Sequence, residues 1–142
     1  MTQMIIKIGS YGMDLTNPFS NDYYTYKHKS IPIRWLPHEA VLEDEYSNKS
    51  DVWSFACTIW EINHGAIAPF ATQTNEAVLA DLTSRSIHWD SSFCKSNAFA
   101  SLLSRCWSHD PIQRPTFDEL LSAFELTTSS SGSNGESSSK AR

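Results

Sequence analysis

A mainly helical fold, with one short strand near the N-terminus and a long loop behind it, is what this 142-residue sequence predicts. Three observations carry that reading. Four downstream segments space their apolar residues at a helical period or bury them all round. One early run, Ile5-Ile6-Lys7-Ile8, is β-branched and too short for a helix. Residues 13–31 show neither period and hold Asn17-Pro18, Asn21-Asp22 and scattered Lys, Ser and Thr.

Taken in order, residues 4–9 form the strand, which ends at Gly9, and residues 13–31 form the loop. Loops of that length inside compact domains tend to be functional. Residues 38–43 make a short helix. Over residues 51–63, Val52, Trp53, Phe55, Ala56, Ile59, Trp60 and Ile62 cover every side of a helix, so it is buried all round. Ser50 caps its start, Asp51 lies in its first turn, and Gly65 stops it in a left-handed conformation. A helix over 75–83 is capped by Thr74. The next, over 97–107, sets Phe99, Leu102, Leu103 and Cys106 on one face and is broken by Asp110-Pro111. The last begins at Thr116, where Thr116-Phe117-Asp118-Glu119 has the form of a capping box, and it buries Leu120, Leu121 and Phe124. From Thr127 to Arg142 almost every residue is Ser, Thr, Gly or charged. Such a segment has no apolar surface to offset backbone entropy, so the chain divides into a domain over 1–126 and a disordered tail over 127–142.

A net charge of -5 argues against nucleic acid and anionic lipid as partners. Cys57, Cys94 and Cys106 lie far apart without a C-x-x-C pair, which fits buried thiols better than a disulfide framework or a zinc site. His28, His38, His64, His88 and His109 lack metal-ligand spacing, and no G-x-S-x-G elbow exists. No stretch approaches the roughly 20 apolar residues of a membrane span. The first residues carry neither the charged nor the apolar region of a signal peptide, so the sequence as written reads as cytosolic.

Six short motifs follow one another in a telling order. They are Ser10-Tyr11-Gly12, Asp22-Tyr23-Tyr24, Pro32-Ile33-Arg34-Trp35, Pro37-His38-Glu39, Ser50-Asp51-Val52-Trp53 and Arg114-Pro115. Together they resemble the C-terminal lobe of a receptor-type tyrosine kinase domain, over about residues 4–125. The resemblance implies the C-lobe of the α+β protein-kinase-like fold, with residues 13–31 as its activation-type loop. Ser10 stands where that family has the aspartate of D-F-G, which holds Mg²⁺ against the ATP phosphates. A neutral hydroxyl does not replace a carboxylate as an anionic ligand for a hard cation. The sequence also lacks a G-x-G-x-x-G loop, a V-A-I-K-like strand and an H-R-D loop. The expectation is therefore no catalytic residue, no metal and no cofactor, with ATP and Mg²⁺ present only by family analogy. Asp14 lies four residues past Ser10 and is not expected to substitute.

The same resemblance assigns the remaining roles. Tyr23 and Tyr24 are phosphorylation sites for another enzyme, with Lys27, His28 and Lys29 close enough to meet the new charge. Pro32, Ile33, Arg34 and Trp35 form the shelf that receives the residue after a substrate tyrosine, while Trp35 also serves the core. Glu39 and Arg114 are structural partners, since a guanidinium can satisfy a buried carboxylate through two parallel hydrogen bonds. Asp51 accepts N–H groups from a catalytic loop that this sequence does not contain; without it, Asp51 is a negative charge on a helix N-terminus.

Lys49-Ser50-Asp51-Val52-Trp53, His64-Gly65 and Ala77-Val78-Leu79-Ala80-Asp81-Leu82 narrow the likeness to the receptor pseudokinases called inactive tyrosine-protein kinase seven (colon carcinoma kinase), with off-track as the insect relative. The Ror group of receptors is the next-best match. This implies a module of a single-pass receptor in Wnt and planar-cell-polarity signalling and cell adhesion, engaging protein partners on the cytoplasmic side of the plasma membrane. Two other readings stand beside it: a fragment of an active ATP-dependent receptor tyrosine kinase, and a truncated isoform or incomplete gene model without a role of its own. In the complete family fold, upstream helices wrap the 51–63 segment. The sequence alone should then expose Trp53, Phe55, Ile59 or Trp60 in an apolar patch.

Overall fold

The computed structural model describes residues 23–131, with side chains through Leu126. The expected strand over 4–9, the triplet Ser10-Tyr11-Gly12, Asp14, most of the 13–31 loop and residues 132–142 lie outside the described residues.

The first described elements are β1 (Tyr24–Tyr26) and β2 (Lys29–Ile31), an antiparallel pair with Tyr24 opposite Ile31 and Tyr26 opposite Lys29. This corrects the expectation of an unstructured loop over that stretch. The turn is Lys27-His28, with φ of 48° and 66°. Two successive left-handed residues give the twist that a two-residue hairpin needs. Gly and Asn are the usual carriers of that conformation, so Lys-His gave no turn signal. Two lysines fasten the hairpin to the following helix: Lys27 Nζ donates to the Leu42 carbonyl at 2.7 Å, and Lys29 pairs with Asp44.

Helix α1 (His38–Leu42) follows, and then α2 (Asn48–Asn63), the central element. α2 begins three residues ahead of its expected start, and its cap is Ser47 rather than Ser50. Ser47 Oγ accepts from the N–H groups of Lys49 and Ser50, while Ser50 Oγ accepts from the Ser47 N–H at 2.7 Å. Ser50 is thus the second half of a capping box. The helix ends with Gly65 at φ +67° and the Ala66 N–H on the Glu61 carbonyl at 2.9 Å, a Schellman closure. α2 is not buried all round. Val52, Trp53, Ala56 and Cys57 are buried, Phe55, Ile59 and Trp60 are half-buried, and Ile62 is 70% exposed. Large apolar side chains in the open among the described residues are instead Tyr46, Ile62, Ile67, Ile112, Phe117, Leu121 and Leu126, whereas Trp53 is fully covered.

Helix α3 (Asn75–Ser84) starts on Thr74, whose hydroxyl accepts the Ala77 N–H. α4 (Asn97–Cys106) starts on Ser96 and buries Leu103 and Cys106. A 3₁₀ turn, Pro111–Gln113, carries the chain to α5 (Phe117–Ser131). The Thr116–Glu119 box forms: the Thr116 N–H donates to Glu119 Oε2 at 2.7 Å, and the Glu119 N–H donates to Thr116 Oγ1 at 3.2 Å. Leu120 is buried and Phe124 meets Phe55 and Phe99 edge-on, but Leu121 is 58% exposed because it sits a helical step off the packed side. The helix continues to Ser131, so residues 127–131 are helical rather than disordered. Once a helix is nucleated, each added residue gains a bond, which carries it into a segment that could not start one.

α2 packs on α4 and on the 3₁₀ turn, and α1 packs on α3. Between them lies an aromatic core in which Trp89 stacks on Trp107 at 4.7 Å and meets Trp53, Trp60 and Phe70 edge-on.

Candidate functional site

The segment leaving β2 makes two tight turns, with Ile33 N–H on the Ile31 carbonyl and Trp35 N–H on the Pro32 carbonyl. That geometry sends Ile33 into the core and Arg34 toward the α2–α3 connection. Arg34 is buried, and its guanidinium donates to the carbonyls of Pro69 (2.9 Å), Phe70 (2.6 Å) and Gln73 (2.7 Å) and to Asn75 Oδ1 (3.0 Å). The connection it holds includes Ala66 and Phe70 in left-handed conformations, φ 61° and 54°. Trp35 Nε1 donates to Glu61 Oε2 at 2.8 Å, and the Trp35 carbonyl accepts from Ser54 Oγ at 2.8 Å. Pro32–Trp35 is therefore a strap across α2 and the loop beyond it. What Arg34 binds is not legible from residue types, because three of its partners are main-chain carbonyls. Replacing Arg34 with alanine should lower stability by about 1.5–3 kcal/mol, the range for hydrogen bonds to a charged group. Hydrogen exchange should quicken first at residues 66–75; unchanged exchange there would contradict the strap.

Glu39 and Arg114 form a second, deeper node. Arg114 Nη1 lies 2.5 Å from Glu39 Oε1 and Nη2 lies 3.0 Å from Oε2, both groups being buried. The same guanidinium donates through Nε to the Ser108 carbonyl (2.8 Å) and through Nη1 to the Lys49 carbonyl (3.0 Å), and it covers the Trp53 ring at 5.1 Å. Lys49 Nζ in turn donates to the Arg114 carbonyl. One side chain thereby joins α1, the first turn of α2 and the segment after α4.

His38 lies beside this node, its Nδ1 3.2 Å from Glu39 Oε2 but without the alignment of a hydrogen bond. His109 meets the His38 ring at 6.1 Å and the Trp53 ring at 6.2 Å. Burial pushes both imidazoles below their ordinary value. Arg85 and Arg114 push the same way, the charge of Glu39 opposes at His38, and His88 adds to the lowering at His109. Folded histidines with depressed pKa values bind fewer protons than unfolded ones, so their contribution is complete above the unfolded pKa of about 6.5. It is lost as pH falls through the lower folded values. The urea midpoint should consequently drop between pH 7.5 and 5.5, and His38→Asn with His109→Asn should flatten that slope. An equally steep slope in the double variant would assign it to other groups.

Of the remaining sequence-predicted residues, Asp51 is exposed in the first turn of α2. Tyr23 precedes β1 and Tyr24 opens it; Tyr24 is half-buried against the core. Ser10, Tyr11 and Gly12 lie outside the described residues. The structure thus brings Glu39 to Arg114 and ties Pro32–Trp35 to the α2–α3 connection.

A family profile described as protein tyrosine and serine/threonine kinase matches residues 1–124. The chain belongs to the protein kinase family. Among the described residues, the five α-helices and the two-stranded sheet fit a C-lobe-like part of that domain. It is similar to Inactive tyrosine-protein kinase 7 of Gallus gallus, at 40% identity over 75% of this chain and 10% of that protein. The Homo sapiens protein of the same name is 34% identical over 89% of this chain and 12% of its own length. Tyrosine-protein kinase transmembrane receptor Ror of Drosophila melanogaster is 32% identical over 82% of this chain and 17% of its length. The kinase-family chain thus spans 10–17% of the length of these relatives.

Kinase chemistry calls for ATP and a divalent cation. Among the described residues no group of three His, Cys, Asp or Glu side chains could hold a metal, and Asp51 faces solvent from a helix start. Burial raises the Cys57 thiol well above its ordinary range and Cys106 to about 11, and it raises the half-buried Cys94 as well. Among the described residues no helix is long and apolar enough to cross a membrane.

Proposed function

We propose that this chain is a catalytically inactive, tyrosine-kinase-like interaction module through which a receptor of the Wnt and planar-cell-polarity type engages protein partners on the cytoplasmic side of the membrane. The observation that carries it is Ser10 at the place of the metal-holding aspartate. The printed names of two relatives, Inactive tyrosine-protein kinase 7, support the inactive assignment. Tyr23 and Tyr24 then await another kinase, and Pro32–Trp35 is a shelf whose arginine and tryptophan serve as structural ties.

The natural full-length product, purified with ATP and Mg²⁺, should transfer no phosphate to a tyrosine polymer; robust transfer that a kinase inhibitor abolishes would falsify the inactive reading. An antibody against the Ser-rich tail should reveal a large band in membrane fractions. A soluble band near 16 kDa would instead leave a truncated product without receptor function. Similarity to the receptor Ror favours a second reading, a piece of an active receptor kinase, which the same transfer assay separates from the first.

A further inference from the structure

We propose that the cavity between the α3–α4 connection and the segment after α4 binds the phosphate monoester of a phosphotyrosine side chain on a protein partner. The site is separate from the strap, and it does not depend on the reading above. The cavity measures about 490 Å³, within the range of small-ligand sites, and Arg85, His88, Trp89, Trp107, His109 and Asp110 line it.

Its charge runs against that of the molecule, which carries a net -5. Arg85 follows α3 in a left-handed conformation, φ 55°, and its guanidinium makes no ion pair or hydrogen bond among the described residues. An unpaired guanidinium at a cavity wall presents a fork of N–H donors that suits phosphate oxygens. His88 is exposed on the same wall. The one carboxylate in the lining, Asp110, is already committed: its Oδ1 accepts the Ile112 N–H at 3.0 Å. Two buried ring nitrogens of the lining, Trp89 Nε1 and His109 Nδ1, have no hydrogen-bond partner among the described residues, whereas Trp107 Nε1 faces the Cys57 thiol. Buried polar groups in folded proteins are nearly always satisfied, so a pair of orphans beside one cavity marks a place for an outside acceptor.

Two further features choose among anions. The Trp89–Trp107 stack, 7° from parallel, offers an aromatic wall on which a phenyl ring can lie. A phosphate monoester carries close to two charges and three acceptor oxygens, enough for the Arg85 fork and an imidazole together, whereas a carboxylate has two oxygens and one charge. The wall is also fixed in advance, since Arg114 Nε donates to the Ser108 carbonyl at 2.8 Å and so anchors the segment between Trp107 and Asp110.

The test is a titration of the complete 142-residue chain with phenyl phosphate at pH 7, read from tryptophan fluorescence and the indole N–H resonances. Saturable shifts at Trp89 and Trp107 are expected, weakened at least tenfold in Arg85→Asn and unchanged in Lys95→Gln, an exposed side chain just ahead of the opposite end of α4. Asparagine tolerates the left-handed backbone at position 85, so that variant keeps its fold. Absence of a saturable shift, or equal weakening in both variants, would overturn the site. Equal binding of benzoate would overturn the phosphate assignment in favour of a carboxylate. A phosphotyrosine peptide that binds no tighter than phenyl phosphate would overturn the protein partner as the source.

Discussion

Glu39→Gln should destabilise the chain by about 3–5 kcal/mol, the usual effect of breaking a buried ion pair from one side. The reason is what stays behind. Arg114 remains 1% exposed, still charged, with its Nη2 facing a neutral amide oxygen or amine instead of a carboxylate at 3.0 Å. Arg114→Met is the mirror experiment and leaves the Glu39 carboxylate buried alone. The double variant Glu39→Gln, Arg114→Met should be less harmful than the sum, because no uncompensated charge is then desolvated. Urea unfolding of the four proteins measures the coupling. A single variant within 1 kcal/mol of the parent would show that the pair is solvated or dispensable. Small domains are stable by only about 5–15 kcal/mol, so either single change takes a large fraction of what holds the fold.

Trp53→Ala should have an effect of similar size, about 3–5 kcal/mol, with the cavity left behind setting the upper end. Trp53 is 0% exposed, meets Trp89 edge-on at 6.3 Å and supports the Arg114 guanidinium at 5.1 Å. Removing the ring therefore loosens the aromatic core and the ion-pair node together. Trp53→Phe should be milder, since Trp53 Nε1 has no partner to lose and a ring remains beneath Arg114. The near-ultraviolet circular dichroism of Trp53→Ala should weaken while its helical signal persists up to the unfolding midpoint. Equal midpoints for the alanine and phenylalanine variants would count against this account.

Where local chemistry decides, the sequence was legible. Thr74, the Thr116–Glu119 box and Gly65 each act through backbone groups within a few residues, and each sits at a helix end in the structure. The start of α2 was misplaced because its first turn, Asn48-Lys49-Ser50, is polar and hides from a search for apolar periodicity. Burial was overstated at Ile62 and Leu121 because composition shows which side chains are apolar, not which face finds a neighbour. The hairpin was missed because its turn is made by Lys27 and His28. At the candidate site, Glu39 and Arg114 were legible only through family likeness, since nothing local links residues 75 positions apart. The carbonyl partners of Arg34 and the unpaired guanidinium of Arg85 were not legible at all, because main-chain direction and charge isolation are properties of the assembled lobe.

The separation of Glu39 and Arg114 also bears on how the lobe is made. At typical ribosomal rates of about 5–20 residues per second, roughly 4–15 s pass between synthesis of the carboxylate and synthesis of its guanidinium, 75 residues later. Throughout that interval the first turn of α2 and the segment around Ser108 lack the side chain that joins them. The nascent chain must hold its tryptophans and an unmatched carboxylate in a provisional state, one suited to chaperone capture. Closure of the lobe becomes possible only after Arg114 has cleared the exit tunnel, so the decisive folding event waits on the last-made member of the pair.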